Sequence, residues 1–346
     1  MRPIVASLCL NCGFHPGNPG LRRSRIERKD AHLKYQHLPG TDRSASVIVL
    51  GTAWYGTTIA ESDAFAMLDA FAERGGNFLD TANSYFRWRP GGEGKSETTL
   101  GAWLKHASRR DVLIGTKGAD QGMDRRTIRD QLAESLDRLG TDSVDFYWLH
   151  CDDPNVPAGE ILGWLSELVD EGRFPAFGCS NWPVARIREA AGHAAARGVR
   201  GFSASQVGWS LAEANPEVAK GSQVFMDDET FAYHQETQMP LVGYSAQAGG
   251  FFAGKYDPDE PLPGTEPNPA ILRFYGTADN YAKLARVKRL VASKGCTPNQ
   301  LATAYLFSQS FPGFAIAGCG NVAQVIDSAG AGDVELTAAD VAALEG

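Results

Sequence analysis

The sequence contains no apolar run near the ~18 residues that a membrane-crossing helix needs, so nothing in it reads as a bilayer span. It also lacks a surplus of positive charge: 33 Lys and Arg stand against 41 Asp and Glu, a net charge of −8. Beyond "RRSR" near the N-terminus no block of like charge occurs, which argues against a nucleic-acid footprint or a polybasic membrane patch. Cysteine is sparse. Cys9, Cys12, Cys151, Cys179, Cys296 and Cys319 are scattered through a chain long enough to fold without staples, so free thiols in a reducing cytoplasm are expected. "CLNC" (Cys9 to Cys12) has the spacing of a metal or redox site but no second ligand pair. A convincing export signal is missing too: "PIVASLCL" has no small-x-small cleavage site, and the basic run comes after it. Residues 1–33 therefore read as a loosely ordered leader and residues 34–346 as one domain.

A complete dinucleotide-binding βαβ unit is absent as well. "GCGNVA", Gly318 to Ala323, fits G-x-G-x-x-G/A and comes directly after a strand pattern. Such a unit needs about 30 residues and a later acid on a second strand. The chain ends before either, and its last segments, "VAQVIDSAGAG" and "TAADVAALE", read as helix. The glycines can instead expose backbone N–H groups and a helix N-terminus to a phosphate.

What is present is a regular alternation. Eight short runs read as strands: Ser46–Thr52, Asn77–Ala82, Asp111–Lys117, Val144–His150, Ala176–Asn181, Phe202–Val207, Pro240–Ser245 and Gly313–Gly318. They show little in/out alternation, as strands buried on both faces do. Helical patterns lie between them. "SDAFAMLDAFAERGG" opens on a capping Ser62. "MDRRTIRDQLAESLDRLG" puts Ile128, Leu132 and Leu136 on one face and stops at Gly140, and "TPNQLATAYLFSQS" opens on a threonine and Pro298. Eight strands interleaved with helices close most simply into a (β/α)₈ TIM barrel, with a doubly wound open sheet as the rival. "KYQHLPGTDRSASVIVL" reads as a hairpin turning at Pro39 and Gly40 that caps the barrel bottom.

In a barrel, side chains at the carboxyl ends of strands share one cleft. That rule gathers Asp80 and Tyr85 after the second strand, Lys117 at the end of the third and His150 at the end of the fourth. A phenol with a pKa near ~10 is a poor proton donor at neutral pH. An adjacent ammonium favours the phenolate, a carboxylate holds the ammonium, and a histidine can position a carbonyl oxygen. Singly, each residue has an ordinary structural role open to it; together they suit protonation of the oxyanion formed when hydride reaches a carbonyl.

With those residues stand "GGNFLDTANSY…GKSETTLGAWL", "IGTKG", "SLDRLGTDSVDFYWLH", "EGRFPAFGCSN", "ASQVGWSLA", "VGYSAQAGGFFAGKY" and "VELTAADVAALE". In this order they resemble the aldo-keto reductase family from Lys34 to the end. The resemblance implies an NAD(P)H-dependent carbonyl reductase with Tyr85 as proton donor, Lys117 and Asp80 as its tuning pair, and His150 orienting the substrate. It also implies cofactor contacts at Ser180, Asn181, Gln206, Tyr244 and Ser245, with Trp54 and Asp80 nearby and Gly318, Gly320 and Gln324 at the phosphate end. Many relatives carry a cation where Gly320 sits and an asparagine where Ser328 sits. Without that cation, grip on the 2′-phosphate of NADPH weakens, and NADH is expected to serve comparably well or better.

At the substrate end, "FRWRPGGEGK" offers Phe86 and Trp88, with Trp54, as an aromatic wall, and Arg87 or Arg89 as donors to polyols or an anion. The expected partner is a small carbonyl compound, possible classes being sugars and aryl aldehydes, with no nucleic acid and no membrane. "HCDDPNVP" places Asp152 and Asp153 near His150, but there is no third ligand at metal-like spacing, so no metal is expected. The connection "AEANPEVAKGSQVFMDDETFAYHQETQMP" is expected to cover part of the cofactor. Two other functions remain open at this point: a metal-assisted barrel hydrolase or isomerase using Asp80, His150 and Asp152, and a cofactor-sensing regulatory subunit.

Overall fold

The computed structural model describes residues 33–107, 111–215, 217–218, 223–259 and 262–346. The leader expected over residues 1–33, apart from Leu33, and the Cys9–Cys12 pair lie outside them. A two-stranded antiparallel hairpin comes first, β1 (Tyr35–His37) and β2 (Ser44–Ser46), with the turn at Pro39 and Gly40 as expected. Eight parallel strands then close into a barrel: β3 (Ile48–Gly51), β4 (Phe78–Asp80), β5 (Leu113–Gly118), β6 (Phe146–Leu149), β7 (Ala176–Ser180), β8 (Ser205–Gly208), β9 (Leu241–Tyr244) and β10 (Gly313–Gly318). Strand β10 pairs with β3 and closes the ring, so the open-sheet alternative is excluded.

Side chains alternate along each strand, and both rows are apolar. Val49, Phe78, Leu113, Phe146, Trp148, Ala176, Ala204, Val242 and Phe314 pack inside the barrel. Their neighbours Ile48, Leu50, Leu79, Ile114, Tyr147, Leu149 and Leu241 join the larger core beneath the helices. That double burial explains why the runs do not alternate in sequence. Each buried large side chain contributes about 1.5–3 kcal/mol relative to exposure. Trp148 fits because β7 presents Gly178 to it: a Cβ there would sit 2.6 Å from the indole ring. Leu38 and Ala45 of the hairpin segment belong to the same interior cluster, so the hairpin plugs the amino-terminal end.

The first five helices are α1 (Glu61–Glu73), α2 (Lys95–Ala107), α3 (Arg125–Leu139), α4 (Ala158–Asp170) and α5 (Val184–Arg197). After them come α6 (Asp228–Thr237), α7 (Pro269–Tyr275), α8 (Ala278–Lys294), α9 (Pro298–Ala304), α10 (Val322–Gly330) and α11 (Ala338–Glu345). Helix α3 buries Ile128, Leu132 and Leu136 and ends at Gly140, and α9 opens on a Thr297–Gln300 capping box. Ser62 is not the cap of α1. That helix starts one residue earlier, behind Ala60, and has no side-chain cap, while Glu61 and Asp63 place negative charge in its first turn. The β8–β9 connection contains α6.

Candidate active site

The parity that fills the barrel also builds its mouth. Two residues beyond interior Phe78 stands Asp80; beyond Trp148, His150; beyond Ala204, Gln206; and beyond Val242, Tyr244. Lys117 and Ser180 continue the in-facing rows of β5 and β7, and Gly318 that of β10. Each continues the inward row of its strand at or near the carboxyl end, so seven strands deliver one group each to a common rim.

Lys117 is buried, and its ammonium lies 2.5 Å from Asp80 Oδ2, 2.9 Å from the Tyr85 hydroxyl and 2.8 Å from the Thr81 carbonyl oxygen. Tyr85 in turn donates to Asp80 Oδ2 over 3.2 Å. Burial pulls the Lys117 pKa down, and the Asp80 carboxylate works against that pull to keep the ammonium charged. Asp80 uses its other oxygen to accept from Gln206 Nε2 at 3.1 Å. A phenol held this way can release its proton to a developing oxyanion, because the phenolate left behind faces a fixed cation.

The His150 ring meets the Tyr85 ring edge to face, with centroids 5.9 Å apart. Its Nδ1 is 3.3 Å from Ser84 Oγ. Burial and the nearby Lys117 charge lower its pKa to about 4, so at neutral pH it is an uncharged imidazole able to donate one hydrogen bond. The structure therefore brings all four expected residues together.

The remaining polar groups are placed less simply. Gln206 spends its amide N–H on Asp80, while its Oε1 has no hydrogen bond among the described residues and remains available to a carboxamide N–H. Asn181 is fully engaged by the protein. Its Nδ2 donates to the His150 carbonyl and Ser180 Oγ, and its Oδ1 accepts from Val224 N and the Tyr244 hydroxyl. It sits at φ 59°, a left-handed conformation that asparagine tolerates well. Here it braces its neighbours, and a ligand would have to displace one of those bonds. Ser245, also left-handed at φ 55°, is exposed at the end of β9 beside the half-buried Tyr244. Open space surrounds the position of a Cβ on Gly318, so a ligand could approach that backbone closely. The Gly320 N–H donates to Gln324 Oε1 at 2.7 Å, and Asn321 caps α10. Ser328 is buried and accepts from Gln247 Nε2. The open Gln206 Oε1, the exposed Ser245, the half-buried Tyr244 ring and the open Gly318 backbone are the groups here that fit a nicotinamide dinucleotide.

At the outer rim, Trp54 meets Phe86 edge to face at 5.0 Å, and Phe86 stacks on Trp88 at 5.1 Å. Phe86 is buried at φ 60° and serves as the wall's backing, while Trp88 is 46 % exposed. Arg87 does not stand ready for an anion: it binds Glu93, Asp120 and Asn83 Oδ1. Asp152 is likewise taken, by Arg186 at 3.0 Å, and Asp153 accepts from Asn155 in its own turn.

Tyr275 escaped the sequence reading. At the end of α7 its phenol is buried, which raises its pKa, and the nearby Ser245 and Ser210 side chains oppose that rise, so it stands beside the β9 rim. No local signal pointed to it, because the contact depends on α7 folding back over the strand end.

Comparison with known proteins agrees with this geometry. Residues 47–346 match the model of the Aldo/keto reductase family. The chain is 28% identical over 305 residues to aldo-keto reductase str7 of Strobilurus tenacellus, covering 85% of this chain and 83% of that protein. It is 28% identical over 313 residues to aryl-alcohol dehydrogenase GME11368 of Pestalotiopsis microspora, covering 86% and 76%. With Protein tas of Escherichia coli (strain K12) it shares 27% over 316 residues, covering 81% and 87%.

Proposed function

This chain belongs to the aldo/keto reductase family of oxidoreductases, and we propose that it reduces an aldehyde or ketone to the alcohol with NAD(P)H, using Tyr85 as proton donor. The observation that carries the reading is the Tyr85 hydroxyl 2.9 Å from the buried Lys117 ammonium, itself paired with Asp80. Bound NAD(P)H supplies the hydride. Gln206 Oε1, Ser180 and the Tyr244 ring are the groups we assign to the nicotinamide end, and the Gly318–Gln324 turn to the phosphate end. His150, neutral above about pH 4, donates to the carbonyl oxygen and holds it beside Tyr85. As negative charge builds on that oxygen, the Tyr85 proton moves to it, and Lys117 stabilises the phenolate.

For the substrate we favour a neutral aryl aldehyde. The exposed Trp88 face, backed by Phe86 and Trp54, offers flat apolar area, while Arg87 is already neutralised by two carboxylates. The turn from Gly318 to Gln324 carries no Lys or Arg, which supports use of NADH alongside NADPH. Cys151, Cys179, Cys296 and Cys319 are free thiols, and no described helix is long and apolar enough to cross a membrane; both suit the cytoplasmic setting we propose. The test is a panel of aryl aldehydes, aliphatic ketones and sugars with each cofactor, monitored at the nicotinamide absorbance. Turnover is expected with both cofactors and fastest on aryl aldehydes. Failure of every carbonyl to oxidise either cofactor would refute the reading.

A further inference from the structure

Behind the tetrad lies a second buried carboxylate. Glu97, in the first turn of α2, is 0 % exposed. Its Oε1 accepts from Thr116 Oγ1 at 2.6 Å, and its Oε2 accepts from Arg138 at 3.1 Å. Thr116 immediately precedes Lys117 on β5, with its side chain on the opposite face of the strand. The same nitrogen of Arg138 also donates to the backbone carbonyl of Asn83, 3.1 Å away and two residues before Tyr85. Asn83 is fully buried, and its polar groups are committed. Its N–H donates to the Lys117 carbonyl, its Nδ2 to Gln131 O, Glu134 and Ser135 on α3, and its Oδ1 accepts from Arg87. Gly94, at φ 68°, lets the loop press flat on the guanidinium, since a Cβ there would lie 2.5 Å from Arg138 Nε. Burial pushes the Glu97 carboxyl up, and the hydrogen bonds from Thr116, Ser135 and Arg138 together with the Arg138 charge work against that rise. A solvent-excluded carboxylate is costly unless it is paired, and this one is paired with a cation that reaches the loop bearing the phenol.

We propose that Glu97 is a positioning residue for proton donation, acting through Arg138 on the loop that carries Tyr85 and through its own charge on the Lys117 ammonium. This rests on the reading of Tyr85 as the donor. Glu97 favours the charged form of Lys117, as Asp80 does more strongly from the other side. The charged and titratable groups that face Glu97 or share its field are Arg138 and Glu134 on α3, Lys117 on β5, Asp80 on β4, Tyr147 on β6, Asp120 after β5 and Arg87 in the loop. Among these, Arg138 is its direct partner, and Lys117 is the one whose charge bears on the phenol.

Replacing Glu97 by Gln keeps the shape and a hydrogen-bond acceptor for Thr116 but removes the charge, and it leaves Arg138 with Glu134, 3.4 Å away, as its remaining carboxylate among the described residues. Both changes make the surroundings of Lys117 and Tyr85 more positive. The ammonium and the phenolic proton are then lost at lower pH, and the basic limb of the kcat/KM profile for carbonyl reduction should move down by roughly half a pH unit or more. At pH 7, kcat should fall about tenfold, with NADPH affinity, read by nicotinamide fluorescence, within about twofold of wild type. The double variant Glu97→Gln/Arg138→Gln removes both charges, so its limb should lie between those of wild type and the single variant. It also serves if the single variant does not fold. A limb that stays at the wild-type position in whichever variant folds, with only thermal stability lowered, overturns the inference. Tyr85→Phe in the same assay separates the two readings. If Tyr85→Phe retains turnover, the donor assignment fails; if it abolishes turnover while the Glu97 variants leave the limb unmoved, only the role given to Glu97 fails.

Discussion

The separate losses from removing each charge of the Lys117–Asp80 pair should add to more than the loss from removing both. The two groups touch at 2.5 Å with side chains 2 % and 3 % exposed. Lys117→Met leaves Asp80 as a buried carboxylate with only Gln206 and Tyr85 as described donors. Breaking a buried pair from one side costs about 3–5 kcal/mol, and we expect the lower end because those two donors remain. Asp80→Asn leaves Lys117 with the Tyr85 hydroxyl and Thr81 carbonyl, and it removes the group that opposes burial in keeping the ammonium charged. About 2 kcal/mol is expected there, because the lysine can shed its proton. The double variant buries no unpaired charge, so its loss should fall short of the sum by about 2 kcal/mol or more. Urea unfolding of the four proteins at pH 7 measures this directly. Turnover, by contrast, should fall at least about a hundredfold in all three variants, since none retains the complete donor system. Stability losses that add to within about 0.5 kcal/mol would refute the claim that the pair is a single buried unit.

Two further outcomes concern the same site. The folded-state pKa of His150 is about 4 against an ordinary 6.5, so as pH falls the unfolded chain takes up its proton first. Its contribution to stability is intact above about pH 6.5 and lost progressively towards pH 4. Replacing His150 by Gln should therefore narrow the gap in urea stability between pH 7 and pH 5 by about 1–2 kcal/mol; an unchanged gap would mean that the imidazole is not depressed. Gly320 does not lie at positive φ, so a side chain is conformationally acceptable there. Gly320→Arg should raise the NADPH-over-NADH ratio of kcat/KM about tenfold or more, and equal effects on both cofactors would place the 2′-phosphate elsewhere.

Much of this architecture was legible in the chain because burial left a strong mark. Runs such as "VDFYWLH" are apolar at nearly every position, since Phe146 and Trp148 face the barrel interior while Tyr147 and Leu149 face the helices. Asp80, Lys117 and His150 stood out as polar interruptions at the ends of such runs. Ser62 misled because a serine near a helix start is a common cap, whereas the start here carries its stabilising charge on Glu61 and Asp63. Helix α6 was hidden because its buried residues are Thr230, Tyr233 and His234, which write no apolar stripe. The engagement of Asn181 by Tyr244, Val224 and His150 joins segments up to 63 residues apart, beyond the reach of local pattern. Arg87 looked like a free donor for the same reason: Asp120, one of its partners, lies 33 residues away on another loop.

The most direct test of the central claim is single-turnover reduction of an aryl aldehyde by Tyr85→Phe beside wild type, with NADPH binding measured on the same samples. The ring packing against His150 survives that change, and only the hydroxyl facing Lys117 is lost. Cofactor affinity within about twofold of wild type, with the rate of nicotinamide oxidation down at least about a hundredfold, is the predicted result. An undiminished rate would contradict proton donation by Tyr85.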